Sequence, residues 1–318
     1  MLKYFTYLCL FGLAIPTYAW GFLGHRTINK QAVFALPPEM FGFYKKYIDY
    51  ITQHAVDPDN RRYLFEDEAC HHYLDCDHYE KTAPLDTLPH NWYKAIEKYS
   101  EDSLKAHGIV PWHIMLVQQR LTKAFEDQDL QKILKYSADI GHYIADAHVP
   151  LHASSNYNGQ KTGQEGIHAL WESRIPQLFL DSFNLFTGTV QYLVNPSEYI
   201  WDRMGESFAC TDSVFKMEIS ATNLHPADKY SIGFSGRNAI ETYSEKYCKD
   251  YEDLMQKMVE RRMRASIFTL ASFWYTAWVN AGQPNLDEFA DELKSNKEDD
   301  DAEKAKDLNK IKGREEAK

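Results

Sequence analysis

Apolar residues recur three and four positions apart over 117–125 and 130–147, the spacing of amphipathic helices that lay one face on a core. The same period runs from 238 to 281, and its last stretch, SIFTLASFWYTAWV at 266–279, is apolar nearly all round, as a central buried helix would be. No run alternates well enough to predict a sheet. Short turn-rich pieces, VDPDN at 56–60 and SSNYNGQKTGQEG at 154–166, read as surface loops. The pattern predicts an all-α fold, a single multi-helix domain.

Both ends depart from this pattern. Lys3 followed by an apolar run from Tyr4 to Ile15, with Thr17-Tyr18-Ala19 behind it, reads as a secretory signal peptide over 1–19, cleaved after Ala19. The run is too short for a transmembrane anchor, so export to a periplasm or the extracellular space is expected. Residues 287–318 carry twelve acidic and eight basic side chains with few apolar ones, a charged tail that buries no core and is expected to be disordered. The intervening body, 20–286, holds the chemistry.

The 318 residues have a net charge of −11, which becomes −12 once Lys3 leaves with the signal. No basic footprint for duplex DNA is present. An exported chain retaining Cys70, Cys76, Cys210 and Cys248 admits one or two disulfides, and equally a set of buried free thiols.

The densest candidate chemistry is HYIADAHVPLH at 142–152. His142 and Asp146 leave the same helical face one turn apart, and Pro150 ends that helix before His152. A single His-x-x-x-Asp pair is common on solvated helices, but His168 and Glu172 repeat the spacing. Upstream stand Asp57 and His72, and cleavage after Ala19 would expose the α-amine of Trp20 five residues before His25. An amine with a pKa near 8 deprotonates at modest cost to bind a metal. Nitrogen and carboxylate donors without thiolate suit catalytic zinc.

Trp20, His25, Asp57, His72, His142, Asp146, His152, His168 and Glu172 resemble, in order, the metal-binding set of one superfamily. It joins the single-strand-specific zinc nucleases of fungi and plants with the bacterial zinc-dependent phospholipases C. The motifs span Trp20 to Glu172, and the likeness extends more loosely into the helical C-terminal half. The resemblance implies an all-α fold holding three Zn2+ ions. One would sit on Asp57, His72, His142 and Asp146, and a second on His152, His168 and Glu172. The third would be held by the amine and carbonyl of Trp20, by His25 and by Asp146, which bridges two metals. A hydroxide shared by two ions is the implied nucleophile for phosphodiester hydrolysis.

Asp57 and Asp146 are the expected catalytic carboxylates. Where the nucleases place a basic residue three positions after the first aspartate, this chain has Asn60, so either Arg61 or Arg62 supplies that charge or the help it gives is absent. Tyr73 and Asp75 match an aromatic and an acid that the nucleases use near the base, against the plainer alternative of a core tyrosine and a loop-capping aspartate. His148 falls on another helical face and is expected to be a hydrogen-bonded structural histidine. Asp139 is expected to be an exposed helix residue, and His54 and His71 to be solvated or to support ligands.

The substrate signals divide. Trp20-Gly21-x-x-Gly24-His25, the fifteen-residue step from Asp57 to His72, His148 and Trp171 look like the nucleases. Glu172, the segment after His152 and the apolar terminal helix look like the phospholipases C. A secreted nuclease on single-stranded nucleic acid is favoured, a phospholipase C on phospholipid is the alternative, and a non-catalytic zinc-binding protein is the remote third.

Overall fold

The computed structural model of the chain describes residues 21–235 and 238–288. Residues 1–19 with the expected signal, the expected ligand Trp20, and the charged tail beyond Glu288 lie outside the described residues. The fold is all-α, and the only sheet among the described residues is a two-stranded hairpin. The helices that frame the site are α1 (Gly21–Val33), α2 (Val110–Glu126), α3 (Leu130–Ala147), α4 (Pro196–Leu224), α5 (Glu245–Leu254) and α6 (Met258–Asn280). No described helix is long and apolar enough to cross a membrane.

Helix α3 is the axis of the molecule, packed by α1, α2, α4 and α6. It begins where the Asp129 side chain accepts the Lys132 backbone N–H at 3.1 Å, satisfying one of the free donors of the first turn. Its apolar positions Ile133, Leu134, Ile140 and Ile144 are fully buried. Helix α6 crosses it through Trp274, whose indole N–H donates to the Ser137 carbonyl at 3.1 Å. Gln118 of α2 donates to the Phe273 carbonyl at 3.0 Å and ties α2 to α6.

The C-terminal end of α3 is held by side chains of α4 and α6. Ser207 donates to the Ala147 carbonyl at 2.6 Å, Arg262 to the His148 carbonyl at 2.8 Å and Thr211 to the Pro150 carbonyl at 3.3 Å. These carbonyls have no helical partner of their own. His148 is fully buried, donates from Nδ1 to the Ile144 carbonyl at 2.8 Å and meets Thr269 at 3.2 Å. It is a structural histidine, as its helical face predicts.

Helices α1 and α3 approach so closely that Gly141 has no room for a side chain: a Cβ there would lie 2.1 Å from Asn29 Oδ1. Asn29 cannot swing aside, because its amide donates to the Ile51 and Ala138 carbonyls at 3.3 and 3.1 Å. Gly141→Ala is therefore expected to cost about 1–3 kcal/mol through overpacking. It should also reduce bound metal, because it pushes His25 away from α3. Denaturant unfolding of the metal-free and metal-loaded proteins reads both effects, and an unchanged midpoint in both would refute the close-approach account.

The structure departs from the sequence-based expectations of secondary structure in two places, and it decides between the two readings of the cysteines. Tyr230–Ser235 and Asn238–Tyr243 form an antiparallel hairpin, with Tyr230 opposite Tyr243, so the helical period assigned from 238 onward holds only from α5. VDPDN is no surface loop: Asp57–Arg61 is a short helix in which Pro58, Asp59, Asn60 and Arg61 are buried. Of the two readings of the cysteines, the structure has free thiols at Cys70, Cys76, Cys210 and Cys248, and burial pushes Cys70 and Cys248 up to about 12.

Candidate metal centre

His142 and Asp146 stand one turn apart on the buried face of α3, with the His142 Nε2 and Asp146 Oδ2 atoms 3.3 Å apart. The close passage of α1 lays His25 on His142, ring centroids 3.8 Å apart and nearly parallel, and brings His25 Nε2 to 3.5 Å from Asp146 Oδ1. His72 follows the 3-10 turn Glu66–His71 and places Nδ1 2.9 Å from Asp146 Oδ2 and 3.0 Å from His142 Nε2.

The aspartate expected from the short helix is corrected. Asp59, not Asp57, reaches the cluster, with Oδ1 3.7 Å from His142 Nε2 and 3.9 Å from His72 Nδ1. Two residues on a helix are about 200° apart, so the two carboxylates face opposite ways. Asp57 turns to His54 Nδ1 at 2.6 Å. A sequence signal for Asp59 existed: the basic residue expected three positions after the ligand is missing after Asp57 but present as Arg62 after Asp59. The Arg62 guanidinium lies 3.8 Å from Asp59 Oδ1.

A second group lies across Asp146. His168 and Glu172 meet at 2.9 Å where the chain winds as a π-helix over Leu170–Arg174, and His152 Nε2 is 3.2 Å from the other Glu172 oxygen. The 154–166 segment forms the support of this group. Tyr157 offers its carbonyl to His168 Nδ1 at 3.1 Å, and Asn158 Oδ1 accepts the His168 backbone N–H at 3.4 Å. Asp146 Oδ1 lies 3.9 Å from His152 Nδ1, so one carboxylate touches both groups.

Three buried sets of side chains can thus hold metal ions: His25, Asp59 and His142; His72, His142 and Asp146; His152, His168 and Glu172. No family model matches this chain, and no curated protein does. The donors themselves point to a metal.

His142, His152 and His168 each point Nδ1 at a backbone carbonyl, of Ala55, His72 and Tyr157, at 2.9, 2.6 and 3.1 Å. A carbonyl only accepts, so Nδ1 carries the proton and, in the neutral ring, Nε2 turns a lone pair into the cluster. There it faces carboxylate oxygens, and acceptor against acceptor is unfavourable without a cation between them. Both nitrogens of His25 and both oxygens of Asp59 are buried with no hydrogen bond among the described residues. Burial, reinforced by His142, pushes His25 well down, and burial pushes Asp59 up with only partial relief from His142 and His72. For Asp146, burial is outweighed by His142 and His152, which hold it well below the usual carboxylate range. Burial would lower His72 as well, yet its hydrogen bonds to Asp146 and Glu68 lift it to about 9. A buried set that joins an ionised Asp146 to an unpaired His25 and to ring nitrogens turned inward by their backbone carbonyls fits a divalent cation.

Other expected site residues serve elsewhere. Arg61 is buried in a network, 3.1 Å from Asp139 Oδ1 and 3.6 Å from Glu68 Oε2, with Tyr143 donating to Glu68. Asp139 is consequently buried rather than exposed. Glu68 also lies 3.6 Å from His72 Nε2, so this network borders the histidine cluster. Tyr73 is buried at 5 % exposure with its hydroxyl toward the Ala106 carbonyl, and Asp75 meets His107 at 3.4 Å. The plainer alternative of core tyrosine and loop aspartate describes both.

Proposed function

We propose that this chain is an exported zinc-dependent phosphodiester hydrolase of the superfamily named above, acting on single-stranded nucleic acid. The observation that carries the reading is that His25, His72, His142, Asp146, His152, His168 and Glu172, far apart in sequence, converge with Asp59 in one buried volume.

Asp59, His72, His142 and Asp146 would hold one zinc, and His152, His168 and Glu172 a second. Because His142 Nδ1 is committed to Ala55, its single free nitrogen serves one ion only. The third ion therefore needs donors beyond the described ones, and the Trp20 amine with His25 and Asp146 fills that role. Held by these residues, zinc would supply an acidified water and offset charge on phosphoryl oxygens, which would let a net-acidic protein take a phosphodiester. Arg62 rather than Arg61 supplies the nearby guanidinium, since Arg61 is held by Asp139 and Glu68. The backbone carbonyls behind His142, His152 and His168 fix the proton on Nδ1 and hold those rings correctly turned.

Phospholipid is the second reading. It is favoured by Glu172 and by the hairpin, which exposes Ile232 and Phe234 at 70 % and 76 % on the face that a lipid surface would wet.

The test is the metal content of the mature chain beginning at Trp20, by elemental analysis, beside turnover of single-stranded DNA, RNA and phosphatidylcholine. The expected result is close to three zincs and cleavage of nucleic acid that a chelator abolishes. Zinc with lipid cleavage alone would reverse the substrate, and absence of zinc would remove the whole reading. Adding residues before Trp20 should weaken one zinc, and an unchanged stoichiometry would sink the amine's part in it.

A further inference from the structure

The support behind His168 continues away from the metal ligands to a buried carboxylate that the proposed chemistry does not use. Asn158 Oδ1 accepts the backbone N–H groups of Gly166 and His168 at 3.0 and 3.4 Å, and so closes the 154–166 segment onto the turn Ile167–Ala169. The Gln164 carbonyl accepts the Ile167 N–H at 3.2 Å and begins that turn. The Gln164 side chain reaches the other way. Its amide donates to the Phe215 carbonyl at 3.0 Å and to Glu218 Oε2 at 2.6 Å, both on α4.

Glu218 is 4 % exposed, and its two oxygens have separate partners. Oε1 accepts Lys229 at 2.7 Å, the Tyr247 hydroxyl at 2.7 Å and the Thr222 hydroxyl at 2.8 Å, which join α4 to α5 and to the root of the hairpin. Oε2 accepts only the Gln164 amide among the described residues. Burial alone would raise the carboxyl, but Lys229 and Gln164, with Tyr247 and Thr222, hold it below the usual carboxylate range. A hydrogen bond to an ionised acceptor is about twice as strong as a neutral one, so a charged contact holds the 154–166 segment to α4.

The division between the oxygens separates two roles. Fastening α5 and the hairpin to α4 needs Oε1 and its three donors. It does not account for Oε2, which meets only the segment that carries Tyr157 and Asn158 behind His168. The Gln164 amide cannot turn over to suit another partner, because the Phe215 carbonyl only accepts and keeps Nε2 on that side. On the other flank, Arg174 donates to the Tyr243 carbonyl at 3.0 Å, and the Tyr243 ring stacks on Tyr247 with centroids 5.6 Å apart. The stretch 168–172 is thus clasped at both ends against the structure that Glu218 gathers.

We propose that Glu218 is a positioning residue for the ion held by His152, His168 and Glu172, acting through Gln164 and Asn158 to keep the His168 ring on the Tyr157 carbonyl. The inference rests on the metal-binding part of the reading above and not on the substrate. With Nδ1 held by that carbonyl, Nε2 is the ring nitrogen left for the ion, and its direction follows the segment. Glu218→Gln sets an amide N–H against that of Gln164, since the three donors keep an oxygen at the Oε1 position. The segment is then released on the His168 side while α5 and the hairpin stay fastened. Loss of a partner that orients a ligand lowers metal affinity by about 10–100-fold, and one step further back the expected loss is about tenfold.

The probes are Zn2+ and Co2+, titrated into the mature chain against a chelator, with the visible bands of Co2+ recording the ligand geometry. Glu218→Gln and Gln164→Ala should each weaken, by about tenfold, the ion that His168→Ala removes, and should alter its Co2+ bands. The double variant should be no worse than either single one, because the two side chains act in series. Tyr247→Phe loosens the same carboxylate on its Oε1 side, so it should lower the urea midpoint and leave both metal readouts alone. Gln164 is half-buried, and its variant remains informative if Glu218→Gln does not fold. Unchanged metal affinity in Glu218→Gln and Gln164→Ala would overturn the proposal. So would an equal loss in Tyr247→Phe, which would leave Glu218 a structural group alone. A metal-free measurement keeps this inference apart from the zinc reading. In NMR spectra of nitrogen-labelled histidine, at a pH where the ring is neutral, the His168 signal is assigned by its absence in His168→Gln. It should show Nδ1–H in the wild type and a mixture of tautomers in Glu218→Gln. A wild type that binds no metal but shows this change would sink the zinc reading and keep the positioning role. Normal zinc binding with the tautomer and the affinity both unchanged would do the reverse.

Discussion

Asp146→Asn is expected to strip more zinc from the protein than any other single substitution among the ligands, and to lower its zinc-dependent stability by more than His168→Ala does. The two oxygens of Asp146 point into different groups. Oδ2 lies 2.9 Å from His72 and 3.3 Å from His142, while Oδ1 lies 3.5 Å from His25 and 3.9 Å from His152. His168 lies within its own group, 2.9 Å from Glu172 and with its ring centroid 5.2 Å from that of His152. Asparagine keeps the shape, removes the charge and replaces one acceptor with a donor, so it damages both sides of the cluster at once. An ion present at a thousandfold excess over its dissociation constant stabilises the fold by about 4 kcal/mol. Loss of two such ions exceeds the loss of one by about that amount. Elemental analysis with urea unfolding, in zinc and in chelator, separates the cases: the gap between the variants in zinc should exceed the gap that remains in chelator. Equal and small losses for both would contradict the bridging role of Asp146.

What the sequence made legible was whatever depends on helical period and chain punctuation. The bounds of α3 follow from Asp129 at its start and Pro150 beyond its end, and the face that carries His142 and Asp146 follows from their spacing. The burial of 266–279 follows from its having no polar face. Orientation within short elements was not legible. In the five-residue helix Asp57–Arg61, two aspartates on opposite faces look alike in sequence, and packing against α3 decides which one turns inward. Composition misled there as well. VDPDN has the polar, proline-bearing look of a loop, yet it is buried because its charges find Arg62 and the imidazoles.

The hairpin escaped notice because only Tyr230, Ile232 and Phe234 alternate on its first strand, and three positions do not separate a period of 2 from one of 3.6. Arg61 and Asp139 were unreadable for another reason. Their mutual burial needs Glu68 and Tyr143 from other parts of the chain, and no local pattern encodes a network assembled at long range. Tyr73 shows the converse limit. A motif match fixed its identity and its place after His72, but Gly108, where a Cβ would lie 2.1 Å from the Tyr73 carbonyl, brings a neighbouring segment down over it.

Asp59→Asn is expected to have opposite effects with and without metal. In metal-free protein, burial raises the Asp59 pKa above its ordinary 3.8. The proton is then bound more tightly in the folded state than in the unfolded one. The stability associated with that proton is complete below the unfolded value and is lost as pH rises through the raised folded value. At neutral pH the ionised, buried carboxylate therefore costs stability, and asparagine removes the cost, so the variant should be the more stable one in chelator. In zinc the same carboxylate is a ligand, and its loss should lower metal content and turn the stability difference against the variant by several kcal/mol. Asp57→Asn is the control, since that carboxylate turns to His54 and should leave the zinc on the Asp59 side in place. Urea midpoints at neutral pH and below pH 4, each with zinc and with chelator, test the sign as well as the size. If Asp57→Asn loses the zinc and Asp59→Asn keeps it, the ligand is Asp57, and the inward turn of Asp59 has no chemical role.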